Sequence, residues 1–288
     1  MCKLKSAIVL KDRIFMPDYD SHSKMLEELG INDDYLGASK KFVRVEFSPP
    51  SGDVFSDIDT WVLRVDQDIR PDWFSEEECK QKMIDAVKGW AKDHIHIGVK
   101  GLKISTGENH YINDCQDVEV YGSASISKVY GSASISKVYG SASISYVCDS
   151  ASISKVYGSA SISYVCDSAS ISYVYGSASI SKVYGSASIS YVCGSASISK
   201  VCGSASISKV CGSASISYVC DSASISEVCD SAMVASSPYS NWKKRDALII
   251  SENATFKDNY GKVVYQAGDF KLISVESGKT IGERKEQK

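Results

Sequence analysis

Residues 120–128 read VYGSASISK, and this nine-residue unit occurs thirteen times in succession up to residue 236, with only the last copy strongly altered. A short fixed period is typical of a solenoid, in which each unit buries its apolar side by stacking on its neighbours. The repeats therefore predict a β-solenoid over residues 120–236, and this rod dominates a mainly β chain.

The order of residues within the unit indicates which of them face inward. Val120, Ala124 and Ile126 share parity, so an extended chain directs them to one side. In the simplest threading, positions one to seven form a strand and Ser-Lys forms the turn. Two units then close a coil of about eighteen residues with two flat sheets, and equivalent residues stack about 4.8 Å apart.

The third position of the unit does not fit a strand. It is Gly in most copies and Asp in four, namely Asp149, Asp167, Asp221 and Asp230. An inward carboxylate without a partner would cost several kcal/mol, whereas Gly and Asp both suit a bend. We therefore expect a corner at Gly-Ser as well as at Ser-Lys. Val, Ala and Ile lie inside in either case, and the shape of the coil stays open.

The region before the repeats, residues 1–119, has the mixed pattern of an α/β or α+β domain. One helix is expected over residues 21–30 and a second over 75–94, where Ser75 and Glu78 form a capping box. Alternating apolar residues predict short strands between these helices.

The region after the repeats, residues 237–288, is expected to form a C-terminal β cap with a frayed, charged tail. Strands are predicted at 247–250, 261–265 and 270–275. A cap is expected because an open solenoid end would otherwise template aggregation.

Charge and hydropathy exclude several classes of protein. The repeats hold six Lys and Arg residues against five Asp and Glu residues, so the rod is nearly neutral and has no surface built to neutralise phosphates. No run approaches the roughly 18–20 apolar residues of a transmembrane helix. The apolar run at 7–10 is too short for the h-region of a signal peptide. We therefore predict a cytoplasmic protein that binds neither nucleic acid nor membrane, unless a non-standard route exports it.

Two features carry a resemblance to known proteins. The segments VDQDIRPDW at 65–73 and WAKDHIH at 90–96, followed by Tyr-Gly-Ser-Ala repeats, resemble uncharacterised proteins encoded by gut bacteria and their phages. That resemblance covers most of the chain and implies an architecture without an established activity. The repeat unit is also similar to the Tyr-Gly-Ser-x-x-Thr-Ala repeat of bacterial ice-nucleation proteins, although its period is shorter and it lacks threonine.

The second position of the unit is Tyr or Cys in every copy and forms the predicted binding ladder. The ladder consists of Tyr121, Tyr130, Tyr139, Tyr157, Tyr175, Tyr184, Cys193, Cys202, Cys211, Cys220 and Cys229. With eighteen-residue coils, one side of the rod carries Tyr121, Tyr139, Tyr157 and Tyr175, followed by Cys193, Cys211 and Cys229. On the other side, Cys148 stacks on Cys166, and Cys202 stacks on Cys220.

The stacked cysteines are spaced within the Cα range of a disulfide, roughly 4.4–6.8 Å. In a cytoplasmic protein we nevertheless expect reduced thiols that act as small hydrophobic residues. The cysteines occur singly and without a Cys-x-x-Cys pair, so no zinc site is predicted. His94 and His96, with His110 and Cys115 nearby, are interpreted as ordinary strand residues, and no metal or other cofactor is expected.

No catalytic motif is recognisable in the sequence, and we predict that the protein is not an enzyme. The repeats contain no histidine, and Gly-x-Ser-x-Gly, Walker and Rossmann patterns are absent. Cys2, exposed once Met1 is removed, is the one candidate N-terminal nucleophile, but no base accompanies it.

Three functions remain as hypotheses. The leading one is a scaffold that presents its Ser/Tyr/Cys ladder for self-association or to a protein or glycan partner, because tyrosine rows commonly mark contact surfaces. The second is ice binding, since rows of serine echo the threonine rows of ice-binding solenoids. The third is an enzyme or effector in the N-terminal domain, with Cys2, His94, His96 and His110 as its candidate residues and the rod as a spacer.

Overall fold

The computed structural model describes residues 5–32 and 41–235, together with the backbone of Ser236 and of five short strands nearer the C-terminus. The chain divides into two compact units, Met1–Ile95 and His96–Lys288. The first unit is a small α/β region and the second is a β-solenoid, as the sequence predicts.

The N-terminal unit combines a four-stranded antiparallel sheet with two helices. Its elements are β1 (Lys5–Leu10), β2 (Ile14–Phe15), α1 (His22–Glu28), β3 (Phe42–Ser48), β4 (Val62–Val65) and α2 (Glu76–His94). The strand order is β2-β1-β3-β4. Both helices begin at the predicted serines, since Ser21 accepts a hydrogen bond from the Lys24 N–H and Ser75 accepts one from the Glu78 N–H.

The second unit is built from short strands that alternate between two sheets. The strands that precede or open the repeats are β5 (Ile95–Ile97), β6 (Lys103–Ile104), β7 (His110–Asn113), β8 (Val118–Val120) and β9 (Ser125–Tyr130). The next are β10 (Ser134–Val138), β11 (Ser143–Val147), β12 (Ser152–Val156), β13 (Ser161–Val165), β14 (Ser170–Val174) and β15 (Ser179–Val183). The last repeat strands are β16 (Ser188–Val192), β17 (Ser197–Val201), β18 (Ser206–Val210), β19 (Ser215–Val219), β20 (Ser224–Val228) and β21 (Met233–Ser236). The C-terminal strands are β22 (Ile249–Ile250), β23 (Thr255–Asp258), β24 (Val263–Gln266), β25 (Phe270–Ser274) and β26 (Thr280–Arg284).

Even-numbered strands from β6 to β22 form sheet 1, and sheet 2 contains the odd-numbered strands from β5 to β23 followed by β24, β25 and β26. Within the repeats all pairing is parallel, and from β9 to β20 each paired residue lies opposite its counterpart eighteen positions away, as Ile153 does with Ile135 and Ile171. The predicted eighteen-residue coil with two sheets is therefore confirmed. Parallel stacking places equivalent side chains of successive coils directly above one another.

The two sheets extend beyond the repeats at both ends. Lys103 and Ile104 pair in parallel with Glu119 and Val120, so non-repetitive residues before 120 already form coils. At the other end β23 continues sheet 2 in parallel, and β24 to β26 follow it as antiparallel strands. The strands predicted at 247–250, 261–265 and 270–275 overlap β22, β24 and β25, whereas β23 and β26 were not predicted. Residues 282–284 of the expected frayed tail belong to β26, so that expectation is wrong for them, and the remaining residues of the cap and tail lie outside the described ones.

The interior of each coil is a thin layer of Val, Ala and Ile, as predicted. In the coil around Ala160, for example, Ala160, Ile162 and Val165 are all at most 1% exposed. The predicted threading is nevertheless wrong in one respect. Each strand runs from the Ser at position six through the Ser-Lys step to the Val of the next unit, and the turn lies at positions two to five.

Inward and outward side chains do not alternate strictly, because the strands are not regular. Ile162 and Val165 are three residues apart, which in a regular strand would place them on opposite faces. Both are buried because Ser163, between them, is left out of the strand pairing that includes Ser161, Ile162, Tyr164 and Val165. The expected Ser-Lys corner is thus an irregularity within a strand, and it turns both apolar residues inward.

The corner expected at Gly-Ser is confirmed. The Ala151 N–H donates to the Cys148 carbonyl at 3.2 Å, which closes a four-residue turn, and Asp149 within it has φ of 56°. Gly and Asp are among the few residues that adopt this left-handed conformation readily. The Asp149 carboxylate points outward and accepts a hydrogen bond from the Gly131 N–H of the preceding coil at 3.0 Å.

Gly158 has φ of 70°, and this geometry predicts that two substitutions there change the free energy of unfolding by different amounts. Gly158→Val is expected to lower the free energy of unfolding by about 2 kcal/mol, because a β-branched residue is strained at positive φ. In both variants the added Cβ would lie 3.2 Å from the Gly140 nitrogen, so this contact does not distinguish them. Gly158→Asp is expected to be nearly neutral, since its carboxylate can accept the Gly140 N–H as Asp149 accepts that of Gly131. Chemical denaturation of both variants tests this, and equal losses would contradict it.

Candidate functional site

The outer surface of each sheet carries two parallel columns of side chains. Positions nine and two of the repeat flank a buried Val, so both point outward. We call the outer surface of sheet 1 face 1 and that of sheet 2 face 2. Face 1 carries Glu119, Lys137, Lys155, Tyr173, Tyr191, Lys209 and Glu227 beside Tyr121, Tyr139, Tyr157, Tyr175, Cys193, Cys211 and Cys229. Face 2 carries Lys128, Tyr146, Tyr164, Lys182, Lys200 and Tyr218 beside Tyr130, Cys148, Cys166, Tyr184, Cys202 and Cys220.

The predicted ladder therefore lies in two columns, on the two sides of the rod that the sequence indicates. On face 1, Tyr121, Tyr139, Tyr157 and Tyr175 stack with nearly parallel rings whose centroids are 5.4, 5.2 and 5.0 Å apart. These tyrosines are half-buried against their neighbours in the column. Partial burial raises the pKa of the Tyr157 phenol, and the adjacent Tyr175 raises it further.

Among the residues whose side chains the structure describes, the most exposed aromatic ones are at position nine, which sequence reasoning did not single out. Tyr173 and Tyr191 stack at the middle of face 1 with centroids 5.1 Å apart, and they are 43% and 40% exposed. On face 2 Tyr146 stacks on Tyr164 at 4.9 Å. Reading position nine in every second copy would have revealed both pairs, because residues eighteen apart stack.

Charged residues stand on both sides of the exposed tyrosine pair of face 1. Lys137 donates to Glu119 at 2.8 Å, and Lys209 donates to Glu227 at the same distance. The hydrogen bond from Lys137 holds the pKa of Glu119 below its usual value, and that from Glu227 raises the pKa of Lys209. The charges of face 1 are thus largely paired, and its centre is aromatic.

Face 2 contains an open groove of about 420 Å³. Lys182 and Lys200 are neighbours on adjacent strands at the edge of this groove. The Lys182 ammonium lies 5.5 Å from the ring centroid of Tyr184, and the Lys200 ammonium lies 4.9 Å from that of Tyr218. The Cys202–Cys220 pair forms part of the lining. Face 2 is therefore the more basic of the two surfaces at position nine.

Two of the stacked cysteine pairs are disulfides, so the expectation of reduced thiols is wrong for these four residues. Cys148 is bonded to Cys166 and Cys202 to Cys220, with Cα atoms 4.7 and 4.8 Å apart. The coil spacing itself falls within disulfide range, so stacked cysteines need no backbone movement to bond. Cys193, Cys211 and Cys229, in the other column, are free thiols.

The candidates for a catalytic or metal site are only partly brought together. The ring nitrogens His96 Nε2 and His110 Nδ1 lie 3.3 Å apart, and the Cys115 thiol donates to the His96 carbonyl rather than pointing at the imidazoles. His94 belongs to the other compact unit, where its Nδ1 lies 2.8 Å from the Trp90 carbonyl. Cys2 lies outside the described residues.

The faces, columns and cysteine pairs can be compared with known proteins. No family model, curated protein or solved structure matches this chain. The resemblance to gut-bacterial and phage proteins, and to ice-nucleation repeats, therefore stays a prediction. Among the described residues no helix is long and apolar enough to span a membrane.

Proposed function

We propose that this protein is a non-enzymatic scaffold whose solenoid presents rigid columns of side chains for self-association or for a protein or glycan partner. The exposed stack of Tyr173 and Tyr191 is the observation that carries the proposal. Exposed tyrosines supply large contact areas at little cost in conformational entropy, and they are enriched at interfaces. The parallel ladder beneath them fixes their spacing before any partner binds.

Self-association through face 1 is the simplest form of this proposal. Along the column the order is Glu119, Lys137, Lys155, Tyr173, Tyr191, Lys209 and Glu227, which is nearly the same in both directions. A two-fold contact requires a self-complementary surface, in which residue i of one copy meets residue j of the other and j meets i. About an axis between the two tyrosines, Tyr173 would meet Tyr191 and Lys137 would meet Glu227, while Lys155 opposite Lys209 is the unfavourable pair.

The test is sedimentation velocity over a range of concentrations. We expect reversible association of the wild-type chain, and a dissociation constant about tenfold or more higher for Tyr173→Ser/Tyr191→Ser, since interface tyrosines often contribute more than 1 kcal/mol each. Tyr146→Ser is the matched control, because Tyr146 is an exposed tyrosine of the same repeat position on face 2. A wild-type monomer at high concentration would exclude self-association and leave a glycan or a different protein as the partner to test.

Ice binding receives less support than the scaffold. The serines at position eight do form regular columns, but long Lys, Tyr and Glu side chains at position nine stand directly beside them. These side chains interrupt the flat hydroxyl surface on which ice binding would depend. Measured thermal hysteresis or a raised freezing temperature would restore this alternative.

The location of the protein also belongs to this proposal, which here differs from the cytoplasmic location predicted from the sequence. Two disulfides are typical of proteins in oxidising compartments and are uncommon in the cytosol. They favour a location outside the cytoplasm, where the columns would meet extracellular glycans or proteins. Thiol trapping in intact cells, followed by mass analysis of residues 148 and 166, would decide between the two locations.

A further inference from the structure

Three free thiols occupy successive coils of one column. Cys193, Cys211 and Cys229 share position two of face 1, and their N–H groups donate to the carbonyls of Val174, Val192 and Val210 at 2.9 Å in the same way. This backbone pattern is identical to that of the cysteines that form the two disulfides on face 2. Each adjacent pair of the column is therefore separated by about one coil spacing, roughly 4.8 Å.

An odd number of stacked thiols cannot all pair. Cys211 has a neighbour on each side, whereas Cys193 and Cys229 are two coils apart, about 9–10 Å, which is beyond disulfide reach. The column can therefore hold one internal disulfide, in either of two positions, and one thiol is always left over. On face 2 the cysteines occur in separate pairs, and none is left over there.

The three thiols differ in exposure. Cys193 is half-buried and Cys229 is only 5% exposed, while Cys211 is half-buried between them. The sulfur of Cys229 lies with that of Cys211 and a carboxylate oxygen of Asp230 within 4.8 Å of one another. The same Cys, Cys, Asp grouping surrounds both face 2 disulfides. Cys229 is the least exposed of the three thiols and Cys193 is at the other end of the column, so a bond between Cys211 and Cys229 would leave the more accessible Cys193 free.

We propose that this column is a site of thiol modification, in which Cys193 forms a mixed disulfide with a low-molecular-weight disulfide such as oxidised glutathione. The Cys193 thiolate attacks one sulfur of the small disulfide, whose S–S bond breaks and whose other half leaves as a thiolate. Cys211, after losing its proton to solvent, attacks Cys193 and releases the second half. Cys229 then attacks Cys211, and the internal disulfide moves to Cys211–Cys229 while Cys193 is freed as a thiolate.

The freed Cys193 reacts with a second molecule of the small disulfide, and this adduct persists. Both thiols that could displace it are now bonded to each other. The complete reaction consumes two molecules of oxidised glutathione and releases three molecules of glutathione. One glutathione stays on the protein. Three protein thiols are oxidised, two of them to the internal disulfide and one to the mixed disulfide. Burial raises the pKa of Cys211 to about 11, so only a small fraction of Cys211 is thiolate near neutral pH, which slows its attack on Cys193.

The experiment treats the full chain with oxidised glutathione, removes the excess and maps the products by mass spectrometry without reduction. Trypsin cleavage after Lys182 and Lys200 gives the peptide 183–200, in which Cys193 is the single cysteine. For the wild type we expect one glutathione on this peptide, a Cys211–Cys229 disulfide and three released glutathiones. The triple variant Cys193→Ser/Cys211→Ser/Cys229→Ser gives the background from the other cysteines.

Single variants distinguish this site from unspecific thiol reactivity. Cys229→Ser and Cys193→Ser should each close the remaining pair, release two glutathiones and retain no adduct in the column. Cys211→Ser should form no internal disulfide, retain the adduct on Cys193 and release one glutathione. The proposal is overturned if the wild type retains no adduct on peptide 183–200, or if Cys229→Ser retains it there as the wild type does. Far-ultraviolet circular dichroism confirms that each variant is folded before treatment.

Discussion

Ile171→Ala is expected to lower the free energy of unfolding of the solenoid by about 2–5 kcal/mol. Ile171 is 1% exposed, and the buried residues before and after it along the chain are the small Ala169 and the β-branched Val174. Above and below it stand Ile153 and Ile189 of the adjacent coils. The hydrogen-bonded ladder fixes the distance between coils, so the neighbours cannot move in to fill the cavity.

The control for this variant is Ser172→Ala, one residue further along the same strand. Ser172 is exposed and left out of the strand pairing, so its loss is expected to change stability by less than about 0.5 kcal/mol. Urea denaturation followed by circular dichroism measures both variants. Because solenoid coils are stabilised mainly by their nearest neighbours, a broadened transition for Ile171→Ala would indicate that unfolding begins at this coil. Equal midpoints for the two variants would contradict the assignment of Ile171 to the core.

The coil length could be predicted from the sequence, but the path of the chain within the coil could not. A nine-residue period read in pairs gives eighteen residues and two parallel sheets, which the register of Ile153 with Ile171 confirms. The strand boundaries were misplaced because alternation was assumed to be unbroken from Val120 to Ile126. In the structure Ile and the following Val both face inward across an unpaired Ser. The three-residue step from Ile to the next Val is visible in the sequence, but a turn at Ser-Lys accounts for it as well as an irregularity within a strand does.

On the candidate surface, stacking determines which side chains form a column, but it does not determine their redox state or their exposure. Once the coil length is fixed, the tyrosine columns of face 1 follow from sequence spacing alone, and their ring distances agree with one coil step. The redox state of Cys148 and Cys166 does not follow from the spacing. The expected cytoplasmic location favours reduced thiols, whereas the distance between coils permits a disulfide. Tyr173 and Tyr191 were missed because exposure depends on how neighbouring columns shield each other.

Cys148→Ser/Cys166→Ser is expected to lower the free energy of unfolding by about 3 kcal/mol. The disulfide closes a loop of eighteen residues, and a cross-link of this size restricts the unfolded chain by about that amount. Both sulfurs are also nearly fully buried, so serine would place hydroxyl groups in an environment that suits them poorly. Thiol titration under denaturing conditions provides the first check. Reduction should expose four additional thiols in the wild type and two in the variant.

The matched control replaces the same two residues by tyrosine, which is the residue at position two in most of the first eight repeats. Cys148→Tyr/Cys166→Tyr also removes the disulfide, but two stacked rings should form as they do for Tyr139 and Tyr157, whose centroids are 5.2 Å apart. A stacked aromatic pair contributes about 0.5–1.5 kcal/mol beyond its buried area. The tyrosine pair should therefore lose less stability than the serine pair. If both variants unfold at the wild-type denaturant concentration, the Cys148–Cys166 bond does not stabilise the rod. If the tyrosine pair is the less stable of the two, face 2 lacks the space that the column on face 1 provides, and the two corners of the coil are not equivalent.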